Sequence, residues 1–217
     1  RKDPSVFVKF PVRGRDEEYL VIWTTTPWTL PANVAAAVMP GATYARVRAE
    51  KDGGSEILWM AEDQVETVLR KGRYQDFQVL EKVLGRELVG MEYDSPLASR
   101  VPFQREYIHK VTQADFVTLE NTGIVHIAPG HGWDDYLLGL RECLPIFCPV
   151  DERGRFTAEG GAYEGSFVRE ADARVLEDLG DTLMAQGEVV HRYGHCWRCK
   201  TPIIFRATSQ WFLKASE

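Results

Sequence analysis

The sequence predicts an α+β fold in which helices surround a β-barrel-like core. Three observations carry this. Short apolar or alternating runs recur along the chain, each bounded by Gly, Pro or charged residues. Two of them, 44–49 and 56–61, flank Gly53-Gly54 as a hairpin. The strongest helical stripe, in 168–186, places Ala171, Val175, Leu176, Leu179 and Leu183 on one face. Many short strands with few helices and short connections fit a rolled mixed fold.

In chain order, 5–11 alternates through Val6, Val8 and Phe10 as a leading strand, and 13–18 is a charged turn before a strand over 19–24. Residues 32–38 read as a helical turn or a strand. After the hairpin, 61–71 carries Val65, Val68 and Leu69 at helical spacing. A strand over 77–84 and a turn over 85–90 follow, then strands over 107–112, 115–119 and 123–128. Residues 134–142 predict a helix, Gly154 and Gly160-Gly161 punctuate a loop, and 188–192 returns as a strand.

The chain has 217 residues, 44% hydrophobic, enough for one domain with a substantial core. The formal charge of -6 argues against a protein that wraps a duplex, but not against one that grips a nucleic-acid terminus. No run approaches a membrane span, no apolar leader follows Arg1, and the missing initiator Met reads as a start within a longer protein. Four cysteines are too few for a disulfide scaffold, so a reducing cytoplasm is expected. Cys143 and Cys148, set among Leu144, Ile146 and Phe147, are expected as small core hydrophobes.

Three segments carry candidate chemistry. In Trp23-Thr24-Thr25-Thr26-Pro27-Trp28-Thr29-Leu30-Pro31-Ala32-Asn33, three adjacent hydroxyls suit a pocket for a small polar ligand, or simply a strand end before a turn. In 123–136, a strand with His126 runs into the loop Gly130-His131-Gly132 and the helix start Trp133-Asp134-Asp135. Acids there cap a helix, or turn one carboxylate to a ligand ammonium. In 193–212, Cys196 and Cys199 form half of a tetrahedral zinc set, without a second pair at that spacing.

Together these segments resemble the editing domain of isoleucyl-tRNA synthetase, a class I aminoacyl-tRNA synthetase, over almost the whole chain. Valyl and leucyl relatives would show arginine after the second threonine; Thr26 stands there, which favours the isoleucyl branch. The resemblance implies a β-barrel-like editing domain over 13–194, with 1–12 a linker strand leading in and 195–217 a linker back to the synthetic body. It also implies hydrolysis of valine from misacylated valyl-tRNA(Ile), and of valyl-adenylate, with isoleucine rejected by size.

The roles it implies are Asp135 as anchor of the α-amino group, with Asp134 a cap or helper. Thr26 would position water or ester, and Thr24 and Thr25 would orient the terminal adenosine and backbone. Trp28 would wall the pocket or fill the core, and Asn33 would bridge substrate and loop, or cap. His126 would exclude isoleucine sterically. His131 receives no role, and Trp133 departs from the smaller proline or glutamine of the pattern. Partners would be the tRNA(Ile) 3′ acceptor end, valine and the rest of the synthetase, which binds ATP; no membrane is implied. Editing needs no cofactor or metal, and Cys196 and Cys199 would join a structural zinc site only in the full-length enzyme. An RNA-binding module and a zinc-knuckle interaction domain are the rival classes.

Overall fold

The structure, a computed structural model, describes residues 2–190, 193–211, 213 and 215. Ten strands form two sheets. The larger takes β1 (Lys2–Pro11), β2 (Glu18–Thr24), β4 (Thr43–Lys51), β5 (Gly54–Ala61), β6 (Asp76–Leu84) and β10 (Leu183–Val190), in the order β10-β1-β2-β5-β4-β6. All of its pairs are antiparallel except β2 with β5. The smaller takes β3 (Ala35–Val38), β7 (Glu92–Tyr93), β8 (His109–Gln113) and β9 (Ile124–Ile127), in the order β7-β8-β3-β9. Helices α1 (Val65–Gly72), α2 (Gly85–Leu88), α3 (Pro102–Glu106), α4 (Trp133–Arg141) and α5 (Val168–Asp178) connect them.

Two seams roll the sheets around one core. At one, Val12 bridges Tyr93, and the Arg13 and Asp94 amides donate to the Glu92 and Pro11 carbonyls, each at 2.9 Å. At the other, the Ala61 amide donates to the Thr122 carbonyl at 2.8 Å. The arrangement is barrel-like, with two sheets rather than one closed ladder among the described residues.

The pleat explains which residues go inside. Val6, Val8 and Phe10 of β1 face the central cluster with Leu20, Ile22, Trp28, Tyr44 and Tyr93. Phe7 points the other way, into a second cluster with Val47, Leu58 and Met60 that α1 covers through Val65, Val68 and Leu69. The helical stripe of 61–71 thus closes the outer face of the hairpin, at about 2 kcal/mol per buried aliphatic side chain.

The structure corrects several expectations. The predicted helix over 168–186 stops at Asp178: Gly180 takes φ +49°, and Leu183 already pairs with Val8 in β10. Pairing with β1 outweighs the helical stripe there. Residues 115–119 form no strand; Val117 is buried beside Ala35, Ala114 and Leu138 from a loop. The turn over 85–90 contains the single-turn helix α2, whose Glu87 carboxylate accepts the Leu84 amide at 2.7 Å. Residues 32–38 resolve into the end of a 3-10 turn, Pro27–Ala32, followed by β3. Cys143 is exposed in a left-handed turn at φ +54° and Cys148 is half-buried, so Cys143 is no core residue. The predicted strand over 188–192 is the end of β10, and its residues 191 and 192 lie outside the described residues, as do 212, 214, 216 and 217. Among the described residues no helix is long and apolar enough to cross a membrane.

Candidate functional site

Where β2 ends, the chain is held in a turn by its own hydroxyls. Thr24 Oγ1 accepts the Thr26 amide at 3.0 Å, a short loop that competes with further strand pairing. Pro27 then fixes φ at the start of the 3-10 turn. The Thr26 carbonyl accepts both the amide of Thr29, at 3.0 Å, and its hydroxyl, at 2.8 Å. From the opposite side, Asp172 on α5 accepts the Trp28 amide at 2.9 Å. Thr25 and Thr26 are half-buried with hydroxyls 3.5 Å apart.

The second wall comes from β9 and its loop. His126 pairs across from Ala36, and its Nε2 lies 2.9 Å from Thr29 Oγ1. Thr29 has already given its only proton to the Thr26 carbonyl, so His126 Nε2 carries the hydrogen and Nδ1 is a bare acceptor. His131 Nδ1 donates to the Phe205 carbonyl at 3.0 Å, which leaves Nε2 as its bare acceptor. Trp28 meets the His131 ring edge-on with centroids 5.1 Å apart. Trp28 Nε1, His126 Nδ1 and His131 Nε2 are all buried without a partner among the described residues. Burial holds both imidazoles neutral, with pKa values lowered to about 4; the neighbouring His131 lowers that of His126 further, and the Arg206 guanidinium that of His131.

Two glycines make the loop possible. A Cβ on Gly130 would stand 2.2 Å from the Phe147 carbonyl oxygen, and one on Gly132 would stand 2.9 Å from the Asp135 carboxyl carbon. Asp135 folds back over the start of α4 and accepts the Ala128 amide through Oδ2 at 2.9 Å. Burial raises its pKa to about 6; the Ala128 amide opposes the rise and the neighbouring Asp134 adds to it. It remains ionised at neutral pH, in a place where water screens it poorly.

Beside this loop lies a cavity of about 400 Å³ walled by Gly132, Trp133, Tyr136 and Arg206. The segment after residue 202 forms its far side: the Ala207 amide donates to the Gly130 carbonyl at 2.8 Å, and Arg206 Nε to the Val150 carbonyl at 3.2 Å. Further along, the Cys196 amide donates to the Thr201 carbonyl and the Lys200 amide to the Cys196 carbonyl, with Lys200 at φ +60°. Among the described residues no three His, Cys, Asp or Glu side chains gather as a metal site. The Thr201 hydroxyl, 2.8 Å from Cys199 Sγ, helps draw that thiol down to about 7.

No protein-family model matches the chain. Its sequence is 66% identical over 215 residues to the isoleucine–tRNA ligase of Methanoculleus marisnigri, covering 99% of this chain and 20% of that enzyme. The chain belongs to the isoleucyl-tRNA synthetase family. It spans about a fifth (20%) of the length of the curated relatives it matches. Among solved structures, GlLeuRS-CP1 superposes with a TM-score of 0.61 at 13% identity, covering 90% of this chain and 100% of that one. The editing domain of P. knowlesi cytosolic leucyl-tRNA synthetase gives 0.52 at 14% identity, covering 82% and 84%. At such identities the likeness establishes the fold, which is that of a synthetase editing domain.

Within this isoleucyl-tRNA synthetase segment, the turn that follows Thr24, Thr25 and Thr26 meets β9 and its loop through the Thr29–His126 and Trp28–His131 contacts. Trp28 is also in the core, 2% exposed. Asn33 stands apart. It is fully buried, accepts the Tyr93 hydroxyl at 2.8 Å and donates to the Ala35 carbonyl at 3.0 Å, while its backbone amide closes the 3-10 turn on the Leu30 carbonyl. Sequence reasoning passed over Thr29, Asp172 and the structural part of His131. Thr29 at three residues after Thr26 is the spacing at which a hydroxyl reaches back to a carbonyl; nothing in the sequence pointed to Asp172.

Proposed function

We propose that this segment is an aminoacyl-tRNA deacylase, hydrolysing the ester between valine and the 3′ terminal adenosine of tRNA(Ile), and valyl-adenylate by the same chemistry. The observation that carries the reading is Asp135: a carboxylate half-sunk in the protein and held through Oδ2 by the Ala128 amide; its other oxygen would take the ammonium. An α-ammonium group is the cation every aminoacyl ester has. Pairing it with Asp135 fixes the ester carbonyl beside the threonine turn.

Water then adds to the ester carbonyl carbon, and the bond to the ribose oxygen breaks. That oxygen leaves as the ribose hydroxyl, with one proton from the water, and valine leaves as its carboxylate with the other proton passing to solvent; in valyl-adenylate the bond that breaks is the one to the phosphate oxygen, and AMP leaves. The Thr25 and Thr26 hydroxyls orient water and ester. The His126 imidazole, neutral at working pH, walls the side-chain pocket and limits it to valine. An aminoacyl ester is already activated, so no strong nucleophile is required. No cofactor enters this chemistry. Cys196 and Cys199 fit half of a structural zinc site whose other two ligands would come from elsewhere in the full-length enzyme.

The test compares loss of valine and of isoleucine from charged tRNA(Ile), using the full-length protein and Asp135→Ala. Faster release of valine that disappears in the variant supports the reading. Equal release of both amino acids, or release that survives the substitution, defeats it.

A further inference from the structure

The turn Pro27–Ala32 has little of its own to hold its shape. Pro27 and Pro31 carry no amide hydrogen, and a 3-10 run of this length bonds poorly to itself. The Thr29 amide donates to the Thr26 carbonyl at one end and the Asn33 amide to the Leu30 carbonyl at the other, each at 3.0 Å. Carbonyls at the far end must find donors from outside the turn. One side chain supplies them. Gln104, on α3 and 2% exposed, donates through Nε2 to the Pro31 carbonyl at 2.9 Å and to the Asn33 carbonyl at 2.8 Å. Both partners are carbonyl oxygens, so the nitrogen end of the amide faces them and each takes one of its two protons. Gln104 Oε1 is buried without a partner among the described residues. An apolar side chain of that size would avoid the buried oxygen, so the two donors account for the amide.

The two grips on the turn come from different elements. Asp172 of α5 holds the near end by the Trp28 amide, and Gln104 of α3 holds the far end. Past Asn33 the chain is secured to β9, since the Val34 amide donates to the Ile127 carbonyl at 2.8 Å and Ala36 lies opposite His126. Thr29 lies between the grips, and its hydroxyl meets His126 Nε2 at 2.9 Å. A far end that drifts therefore changes where Thr29 stands against the imidazole. The carrier of Gln104 is itself anchored: Phe103 stacks on Phe147 with centroids 4.0 Å apart, and the Phe147 carbonyl oxygen borders Gly130. We propose that Gln104 is a positioning residue for the selectivity of the site, fixing the turn that seats Thr29 against His126. The inference rests on the deacylase reading and adds to it a residue that acts through the turn rather than on the ester.

The test uses the full-length protein and compares Gln104→Met, which keeps the length without donors, with Gln104→Asn, which keeps both donors on a shorter arm. Val68→Ala, in the second cluster beneath α1, serves as a destabilised control remote from the turn. Each is assayed for release of valine and of isoleucine from charged tRNA(Ile), below the melting temperature of every variant. Gln104→Met is expected to lower the preference for valine about tenfold, with the KM for valyl-tRNA(Ile) within about threefold. Gln104→Asn is expected to lose about threefold of that preference, and Val68→Ala less than about twofold. Hydrogen exchange of the peptide over 27–34 is expected to quicken about tenfold in Gln104→Met and to stay unchanged in Val68→Ala. Both Gln104 variants keeping the preference, or Val68→Ala losing it equally, overturns the positioning role. If the parent hydrolyses neither ester, the deacylase reading falls and exchange alone decides: faster exchange in Gln104→Met keeps Gln104 as the grip on the turn, and unchanged exchange removes it.

Discussion

Thr29 and His126 share a hydrogen bond of 2.9 Å whose direction is set by a third group, the Thr26 carbonyl. The hydroxyl spends its proton on that carbonyl and can only accept from the imidazole. Thr29→Val keeps the shape but leaves His126 Nε2–H without an acceptor in a buried place. The expected cost is about 1–3 kcal/mol, measured as a fall in the urea midpoint. Thr29→Ser keeps the hydroxyl and is expected to lose less than about 1 kcal/mol.

Gly132→Ala tests the anchor without touching it. The backbone there is extended, at φ -141°, so alanine suffers no backbone strain. The new methyl would stand 2.9 Å from the Asp135 carboxyl carbon and must push it off the Ala128 amide. Deacylation is expected to fall at least about tenfold while the melting temperature drops by only a few degrees. A variant with normal kcat/KM would show that the carboxylate position is not critical.

Stability in acid divides the site's titrating groups by sign. His126 and His131 have folded pKa values near 4, lowered from 6.5, so the unfolded chain takes up protons first as pH falls from about 6.5 toward 4. Each therefore loses about 2 kcal/mol of stability between pH 7 and 5. Asp135, raised from 3.8 to about 6, acts oppositely: the folded state takes up its proton first and gains about 1 kcal/mol over the same interval. Asp135→Asn is thus expected to be more stable than the parent at pH 7, with that advantage smaller by about 1 kcal/mol at pH 5 and gone only below about pH 4, as measured by denaturant titration across that range. Deacylation by the parent is expected to decline below about pH 6, as the carboxylate that pairs with the ammonium protonates.

Asp172 is the remote brace of the threonine turn. Replacing it with alanine removes the acceptor of the Trp28 amide, and the expected loss is about 1–2 kcal/mol. The variant is also expected to release isoleucine more readily, because the turn that presents Thr25 and Thr26 loses its hold on α5. Discrimination measured with both charged tRNAs checks this.

The sequence was most legible where a segment's own chemistry decides its shape. The β4–β5 hairpin declares itself through Gly53-Gly54, and α1 through the stripe Val65, Val68, Leu69. It was least legible where a distant partner decides. Leu183 fits the helical stripe of α5 as well as any residue, and only pairing with Val8 makes it a strand. Nothing near Asn33 in the sequence announces that its oxygen pairs with the Tyr93 hydroxyl, sixty positions on. Within the candidate site, the residues proposed to carry chemistry sit in compact motifs that a sequence can display; the residues that orient them, Thr29 and Asp172, act across 97 and 144 positions and left little local trace.

The pairing of β1 with β10 sets how the fold bears load. Lys2 lies opposite Val190, and the ladder runs inward from there to Val8 and Leu183. A pull that separates those two outer residues acts on one rung at a time, as on a zipper, rather than on all rungs together. Tension applied across that outer pair therefore opens the β1–β10 ladder from Lys2 inward before it reaches Phe10 and the core.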